Sequence, residues 1–540
     1  MEGLVQEDRE SCRRVDRVPA TQERASARAR AVPQVEVGAA DVVCDDTPRR
    51  KPEAILERVL ECALVPVAPD VDASDVPSRE RAAVVDGLHE RRSGDVPELA
   101  VVGKRGVRMG GPGPRRAGDH AKSQESLHAL VRVAADQGLV SLVVVTSIAI
   151  SPEEHRTRCD ALLERLRDEN LSGVVLFDPY YVLYYAGFAF APTERPIAFV
   201  LAADGTRALV VPRLEVEHAE SKAMFDRVEH YLEYPGDPRS EDALEKTLSA
   251  LGLTGEIGAD QDGYPWILGY RGPTLSELSG AAVVRIAEEI EEQMAVKSAA
   301  EIALIRESVR WGNLAHRLLQ RYTRPGVTET EVEQRASNEA TFAMLDAIGE
   351  VYRAQSFLSR GAHAGYRGQI GRNSAIPHAL AGNIVFEAGD VLVTGASAPV
   401  WGYLSELERT MVIGEPTPEQ ERMFGHMKAV QEVAFDAIGP GARCSDVDMA
   451  VRGYFAQHDL FAYWRHHTGH AIGLRYHEGP FLDSGDHTEI RPGMVFTVEP
   501  GLYAPELGGF RHSDTVLVTD DGIEILTYYP RDLASLIIPA

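Results

Sequence analysis

Four short stretches in the second half of this 540-residue chain gather titratable side chains between apolar runs. They are "NSAIPHALAGN", with His378; "GYLSELERTM", with Glu406 and Glu408; "WRHHTGHAIGLRYHEGP", with His466, His467, His470 and His477; and "VFTVEPGLY…GGFRHSDTVLVT", with Glu499 and Arg511. Residues two apart on a strand share a face, so Glu406 and Glu408 read as a carboxylate pair. Glu499 ends an apolar strand, "MVFTVEP", where a carboxylate needs a partner. Taken singly, His378 is a turn histidine and the glutamates a solvated pair. Taken together, histidines and carboxylates suit proton transfer at neutral pH or the grip of a cationic group. The histidine cluster is zinc-like, but no HExxH spacing is present.

These residues need a scaffold. From residue 151 the signals for one are clear. "SPEEHRTRCDALLERLRDENLS" has a serine cap, early acids and apolar residues at helical spacing. "GVVLFDP", "YVLYYAG", "PIAFVLAA" and "RALVVP" read as strands, alternating with helices at "SEDALEKTLSALG" and "TLSELSGA". This is a small α/β domain over 151–285. One long helical stretch, "AEEIEEQMAVKSAAEIALIRESVRWGNLAHRLLQRY", leads into a second domain over 286–540. That domain opens with helices, gains a helical pair within 427–458, and then becomes strand-rich.

In order and spacing, the four stretches, with "KSAAEIALIRES", resemble the pita-bread fold of methionine aminopeptidase, aminopeptidase P, prolidase and creatinase. Residues 151–285, with "YYAGFAFAPTERP", resemble the N-terminal domain of the creatinase/aminopeptidase P branch. The fold class implied is α+β: a pita-bread catalytic domain behind a smaller α/β domain. Peptidases of this kind bind two metal ions through Asp, Asp, His, Glu and Glu. By the resemblance those positions are Gly395, Glu406, His470, Glu499 and Ser513 here. Two donors are therefore missing, and the usual dimetal site is not expected. "LERT" is similar to the metal-free creatinase, where the corresponding glutamate, here Glu408, grips a substrate cation. His378 corresponds to the catalytic histidine, Glu499 to a second substrate-binding glutamate, and Arg195 in "TERP" to a carboxylate-binding arginine reaching across a dimer. Thr193 replaces an aromatic neighbour of that arginine. A second carboxylate-binding arginine has no clear equivalent, and Phe481 stands near its place.

The resemblance thus implies a creatinase-like hydrolase that cleaves a C–N bond in a small cationic or amidine-type substrate, with no cofactor. Without a metal, water keeps its bulk pKa near 15.7, so a protein base must activate it. By the resemblance, His378 is expected to be that base. His470 and His477 orient the substrate, Glu408, Glu499 and Glu406 meet its positive nitrogen, and Arg511 and Arg195 hold an anion. A first alternative is an Xaa-Pro aminopeptidase or dipeptidase holding one divalent ion through Glu406, His470 and Glu499. A second is a catalytically silent binding protein. Creatine, another guanidino acid, an ectoine-like amidine and a proline peptide all stay open as substrates. A homodimer is implied.

Composition narrows the partners. Net charge is −26, which argues against nucleic acid. After residue 140 there are 34 Lys+Arg against 58 Asp+Glu, and only four of the 34 are lysines. Such an acidic, lysine-poor surface suits high salt, so a halophilic source is one expectation and an ordinary acidic enzyme the other. Five scattered cysteines without CxxC suit a reducing compartment. No signal peptide or bilayer-length apolar run is visible, and a cytoplasmic protein without membrane contact is expected. Residues 1–150 lack sustained periodicity and read as a disordered or over-long extension.

Overall fold

The computed structural model describes residues 148–540 apart from positions 223, 238 and 358. The expected N-terminal extension, except its last three residues, lies outside the described residues. Ser151 caps the helix Pro152–Arg165, its Oγ accepting from the Glu154 N–H at 3.1 Å. A six-stranded sheet follows: β1 (Gly173–Leu176), β2 (Ala198–Ala202), β3 (Arg207–Pro212), β4 (Arg227–Tyr231), β5 (Ile257–Ala259) and β6 (Val283–Arg285). The spatial order is β4-β3-β2-β1-β5-β6. β1, β2 and β3 pair antiparallel, and the β3–β4, β1–β5 and β5–β6 pairs are parallel.

One element differs from the expectation. "YVLYYAG" is not a strand but most of the helix Pro179–Ala186. Its aromatic and β-branched residues favour a strand, but its ends decide otherwise. Asp178 accepts from the backbone N–H groups of Tyr180 and Tyr181, Pro179 sets the first turn, and Gly187 closes it at φ +63°. The long helical stretch is likewise two helices, Ala287–Ala295 and Ala299–Tyr322. Ser298 starts the second with a capping box, receiving the Glu301 N–H while Glu301 receives its own.

The second half is built on an eight-stranded sheet. Its strands are β7 (His363–Gly365), β9 (Gly395–Ser397), β10 (Leu407–Glu408), β12 (Gly469–Ala471), β13 (Glu478–Leu482), β14 (Val495–Val498), β17 (Ser513–Val518) and β18 (Ile523–Ile525). The order is β13-β12-β14-β17-β10-β9-β7, with β18 also on β17. Beside it, β8 (Val391–Val393), β11 (Thr410–Ile413) and β19 (Ile537–Ile538) form a three-stranded sheet, and β15 (Gly501–Ala504) pairs with β16 (Gly508–Arg511). The helices Ala299–Tyr322, Glu329–Ile348, Pro418–Ala437 and Cys444–Gln457 pack around these sheets. β14 and β17 are buried along their whole length, so their sequences run apolar or small-polar without alternation. This is the expected pita-bread architecture behind a creatinase-type N-terminal α/β layer. Among the described residues no helix is long and apolar enough to cross a membrane, and the free cysteines Cys159 and Cys444 are buried.

Candidate active site

His470, Glu499, Glu406, Glu408 and Arg511 meet where β10, β12, β14, β16 and β17 crowd together. The close approach of β12 to β14 depends on Gly469, because a Cβ there would stand 2.0 Å from the Thr497 carbonyl oxygen. The Thr497 hydroxyl accepts from the His470 N–H at 3.2 Å, which holds the histidine backbone. A register shift between His470 and Ala471 breaks the β12–β13 ladder and re-aims the ring. His470 Nδ1 lies 3.0 Å from the Ala471 carbonyl, which can only accept, so Nδ1 carries a proton. Nε2 then faces Glu499 Oε1 at 3.2 Å. That contact has the distance but not the alignment of a hydrogen bond, so it is charge pairing and leaves Nε2 open to a third group.

Glu406 is not in β10, which begins at Leu407. The Thr515 hydroxyl replaces the ladder there, accepting from the Glu406 N–H at 2.8 Å and donating to its carbonyl at 2.9 Å. The Glu406 carboxyl accepts from the Ser513 hydroxyl at 2.7 Å. Glu408 is 2 % exposed and already neutralised. Arg511 NH2 donates to its Oε1 at 2.8 Å while Arg511 Nε contacts Oε2, and Arg367 NH2 donates to Oε1 at 2.5 Å. Arg511 also donates to the Tyr503 hydroxyl, which His466 Nε2 meets at 2.8 Å.

Charge pairing sets the protonation states. Burial alone would lower the His470 pKa, but the Glu499 carboxylate, with Glu406 behind it, pushes it up to about 9. Burial would raise Glu499, yet His470 and Arg511 hold it well below the usual carboxylate range. Glu406 has no cation of its own. Burial first, then the Glu499 and Glu408 charges, push it up to about 7. One buried carboxyl near neutrality thus sits beside one fixed ion pair.

His477 packs against His470 with ring centroids 4.2 Å apart and the ring planes tilted by 55°. Burial and then the charge of His470 hold its pKa below the usual histidine value, and His378 adds to the effect. His378 itself is exposed on the loop after the 3₁₀ turn Gly371–Ala375. His467 lies edge-on to His470 at 6.1 Å. Arg195 is apart from all of these: its partners are Glu194 and Glu233 of the small domain. The single chain therefore joins Glu406, Glu408, His470, His477, Glu499 and Arg511, sets His378 at the rim, and leaves Arg195 outside. Sequence reasoning missed Arg367. Its one signal was indirect, since a glycine at a ligand position leaves room for something else.

The comparisons with known proteins bear on family and fold. Residues 303–520 match metallopeptidase family M24, and residues 158–296 match the creatinase/prolidase N-terminal domain. The "Probable dipeptidase PepE" of Mycobacterium tuberculosis (strain ATCC 25618 / H37Rv) is 30% identical over 378 residues, 69% of this chain and 93% of that protein. The chain belongs to metallopeptidase family M24. Among solved structures it is similar to an Xaa-Pro dipeptidase from Bacillus anthracis, with a TM-score of 0.59 and 26% identity over 72% of this chain and 100% of that one. It is equally similar to dipeptidase PepE from Mycobacterium ulcerans, with a TM-score of 0.60 and 26% identity at the same coverage. The M24 chain described here is a hydrolase acting on C–N bonds.

The paired metal centre expected of an M24 peptidase does not fit these residues. Gly395 offers no donor, and a Cβ there would meet Glu408 Oε1 at 3.6 Å and the Arg367 guanidinium at 3.7 Å. Ser513 offers a hydroxyl that is committed to Glu406. Two divalent ions need negative oxygens to balance them, and at Gly395 the Arg367 guanidinium stands where one of those oxygens would be. Donors for one ion do come together. Ligand atoms of Glu406, His470 and Glu499 all lie within 4.8 Å of one another, the one such group among the described residues.

Proposed function

We propose that this M24 hydrolase cleaves a C–N bond in a small amidine- or guanidino-type acid by general acid–base catalysis, without a paired metal centre. The observation that carries the reading is the guanidinium of Arg367 against Gly395, where the peptidase pattern calls for a ligand. Water must then be activated by the protein, and His378 is solvent-exposed at the rim of the cluster. It accepts a proton from water as the oxygen attacks the substrate carbon, and returns that proton to the leaving nitrogen. Glu408 is matched by two arginines, so the substrate's positive nitrogen falls first to Glu406, which has no cation of its own, with Glu499, already shared with His470, beside it. His470, protonated through Glu499, offers Nε2–H to negative charge developing on the reacting group. His477, packed on it, holds the ring in place. The carboxylate-holding role of Arg195 requires a second copy of the chain, and a homodimer is part of this reading.

The test is a panel of creatine, ectoine and an Xaa-Pro dipeptide, assayed with exhaustively chelated and with metal-replete enzyme. Turnover of one of the two small acids is expected, unchanged by chelation. His378→Asn should lower it by about 10²–10⁴-fold, the usual worth of a general acid–base group. Full activity of His378→Asn would end the role given to that residue.

A second reading has its own observation, the three-donor group of Glu406, His470 and Glu499. Those residues would hold one divalent ion, which when bound supplies Lewis-acid polarisation and a low-pKa water. The activity would be that of a dipeptidase, the name that several relatives carry. Hydrolysis confined to the Xaa-Pro dipeptide and abolished by chelation would favour it over the first reading.

A further inference from the structure

The segment Tyr366–Gln369 is held with unusual firmness for a loop. Arg367 has φ +53° and Gly368 φ +75°. A side chain other than glycine adopts that left-handed region only where surrounding contacts enforce it. Here they do. Glu333 accepts from the Tyr366 N–H at 2.5 Å and the Arg367 N–H at 3.4 Å, and Glu329 accepts from the Gly368 N–H at 2.9 Å. A Cβ on Gly368 would stand 2.1 Å from the Leu380 carbonyl oxygen, and Gln369 Nε2 donates to the Ile376 carbonyl at 3.4 Å. The segment is thus pressed onto the loop that carries His378.

What it presents is one guanidinium, aimed by one of its nitrogens. Arg367 NH2 donates to Glu408 Oε1 at 2.5 Å and to Gln369 Oε1 at 3.2 Å. Its Nε and NH1 have no partner among the described residues. Its side chain is 51% exposed where that of Glu408 is 2% exposed, so the group spans the edge between the buried cluster and solvent. Gly395 leaves the room beside it: a Cβ there would already touch the guanidinium at 3.7 Å, so a longer side chain would compete for its place. Glu408 needs no second cation, because Arg511 already meets both of its oxygens. A fixed guanidinium whose Nε–H and NH1 hydrogens are uncommitted, one on either side of the engaged NH2, can give a carboxylate a single charge-assisted hydrogen bond.

We propose that Arg367 is a specificity-determining residue that binds the carboxylate of the substrate at the rim of this site. The choice of probes rests on the hydrolase reading above. Creatine, ectoine and a dipeptide each carry a carboxylate, and each can be compared with its primary amide. Hydrolysis and calorimetric binding of acid and amide are measured for wild type, Arg367→Lys and Arg367→Gln, with circular dichroism to confirm that each variant is folded. Wild type should prefer an acid over its amide by at least about tenfold, the value of one charge-assisted contact. Arg367→Gln should erase that preference through KM or Kd with little change in kcat, and Arg367→Lys should keep part of it. Binding that shows this pattern without turnover would sustain the assignment and sink the proposed reaction. Equal preference in wild type and Arg367→Gln would overturn the assignment, as would failure of wild type to bind any of the acids. A variant that only lost stability, with its acid preference intact, would overturn it too and leave Arg367 as a neutraliser of Glu408.

Discussion

At the scale of single residues the difference from a paired-metal peptidase is a matter of charge. Gly395 and Ser513 remove donors, while Arg367 and Arg511 bring positive charge to Glu408. The sequence showed the gaps through its resemblance to the pita-bread peptidases, which sets Gly395 and Ser513 at ligand positions. It could not show what fills them. Arg367 sits in "HAGYRGQIG", which has no periodicity, and reaches the site only through a left-handed bend that Glu333 and Glu329 enforce. The gap itself can be tested. Gly395→Asp, Glu406→Asp and Ser513→Glu, combined with Arg367→Ala, should restore the negative oxygens that two ions need. Bound divalent metal, measured by atomic emission after equilibrium dialysis, should rise by at least one ion per chain over wild type. No rise in a folded variant would mean that the lost ligands are not what bars the second ion.

At the scale of elements, legibility followed the strength of local signals. The serine cap at Ser151 was visible in advance and is there, whereas the cap at Ser298, which splits the long helical stretch in two, was not read. "YVLYYAG" misled because apolar aromatics suit both a buried strand and a buried helix, and only Asp178, Pro179 and Gly187 decide between them. The strands of the large sheet span two to six residues, too short for period alone to reveal their partners. Their union depends on long-range side-chain clamps. Arg409, wholly buried, donates to the Glu408, Ser513, Tyr529 and Pro530 carbonyls and pairs with Asp514 at 2.7 Å, tying β10 to β17 and to the C-terminal segment. Removing one member of a buried pair leaves the other's charge stranded, at a cost of about 3–5 kcal/mol. Arg409→Met should therefore lower the urea midpoint by that equivalent, and Arg409→Met with Asp514→Leu should recover part of the loss. A single variant within 1 kcal/mol of wild type, by the linear extrapolation of urea unfolding, would remove the clamp from the account.

At the scale of the whole molecule, the fold buries histidines that must stay neutral. His155 donates from Nδ1 to the Tyr184 carbonyl at 2.9 Å. Burial, then Arg158, lower its pKa to about 4. Burial lowers His363 to about 4 and, with Arg409, His316 to about 3. In the unfolded chain each returns to its ordinary value near 6.5. Above pH 6.5 both states are neutral, and these groups contribute nothing to the pH dependence. Below it the unfolded chain takes up protons that the folded chain refuses. Stability must then fall with falling pH, down to about pH 4, where His155 and His363 begin to protonate in place. Each group adds at most about 1.4 kcal/mol per pH unit to that slope. His470 runs the other way: its raised pKa stabilises the fold below pH 6.5 and loses that contribution as pH rises toward about 9. The acid limb can be separated from the carboxylates by one variant. His155→Gln keeps a donor near the Tyr184 carbonyl but cannot take up a proton. Urea unfolding between pH 6.5 and 4.5 should give an average slope shallower than wild type by about 1 kcal/mol per pH unit. The same slope in both proteins would mean that His155 is as easily protonated folded as unfolded, and the buried-histidine account of acid lability would fail.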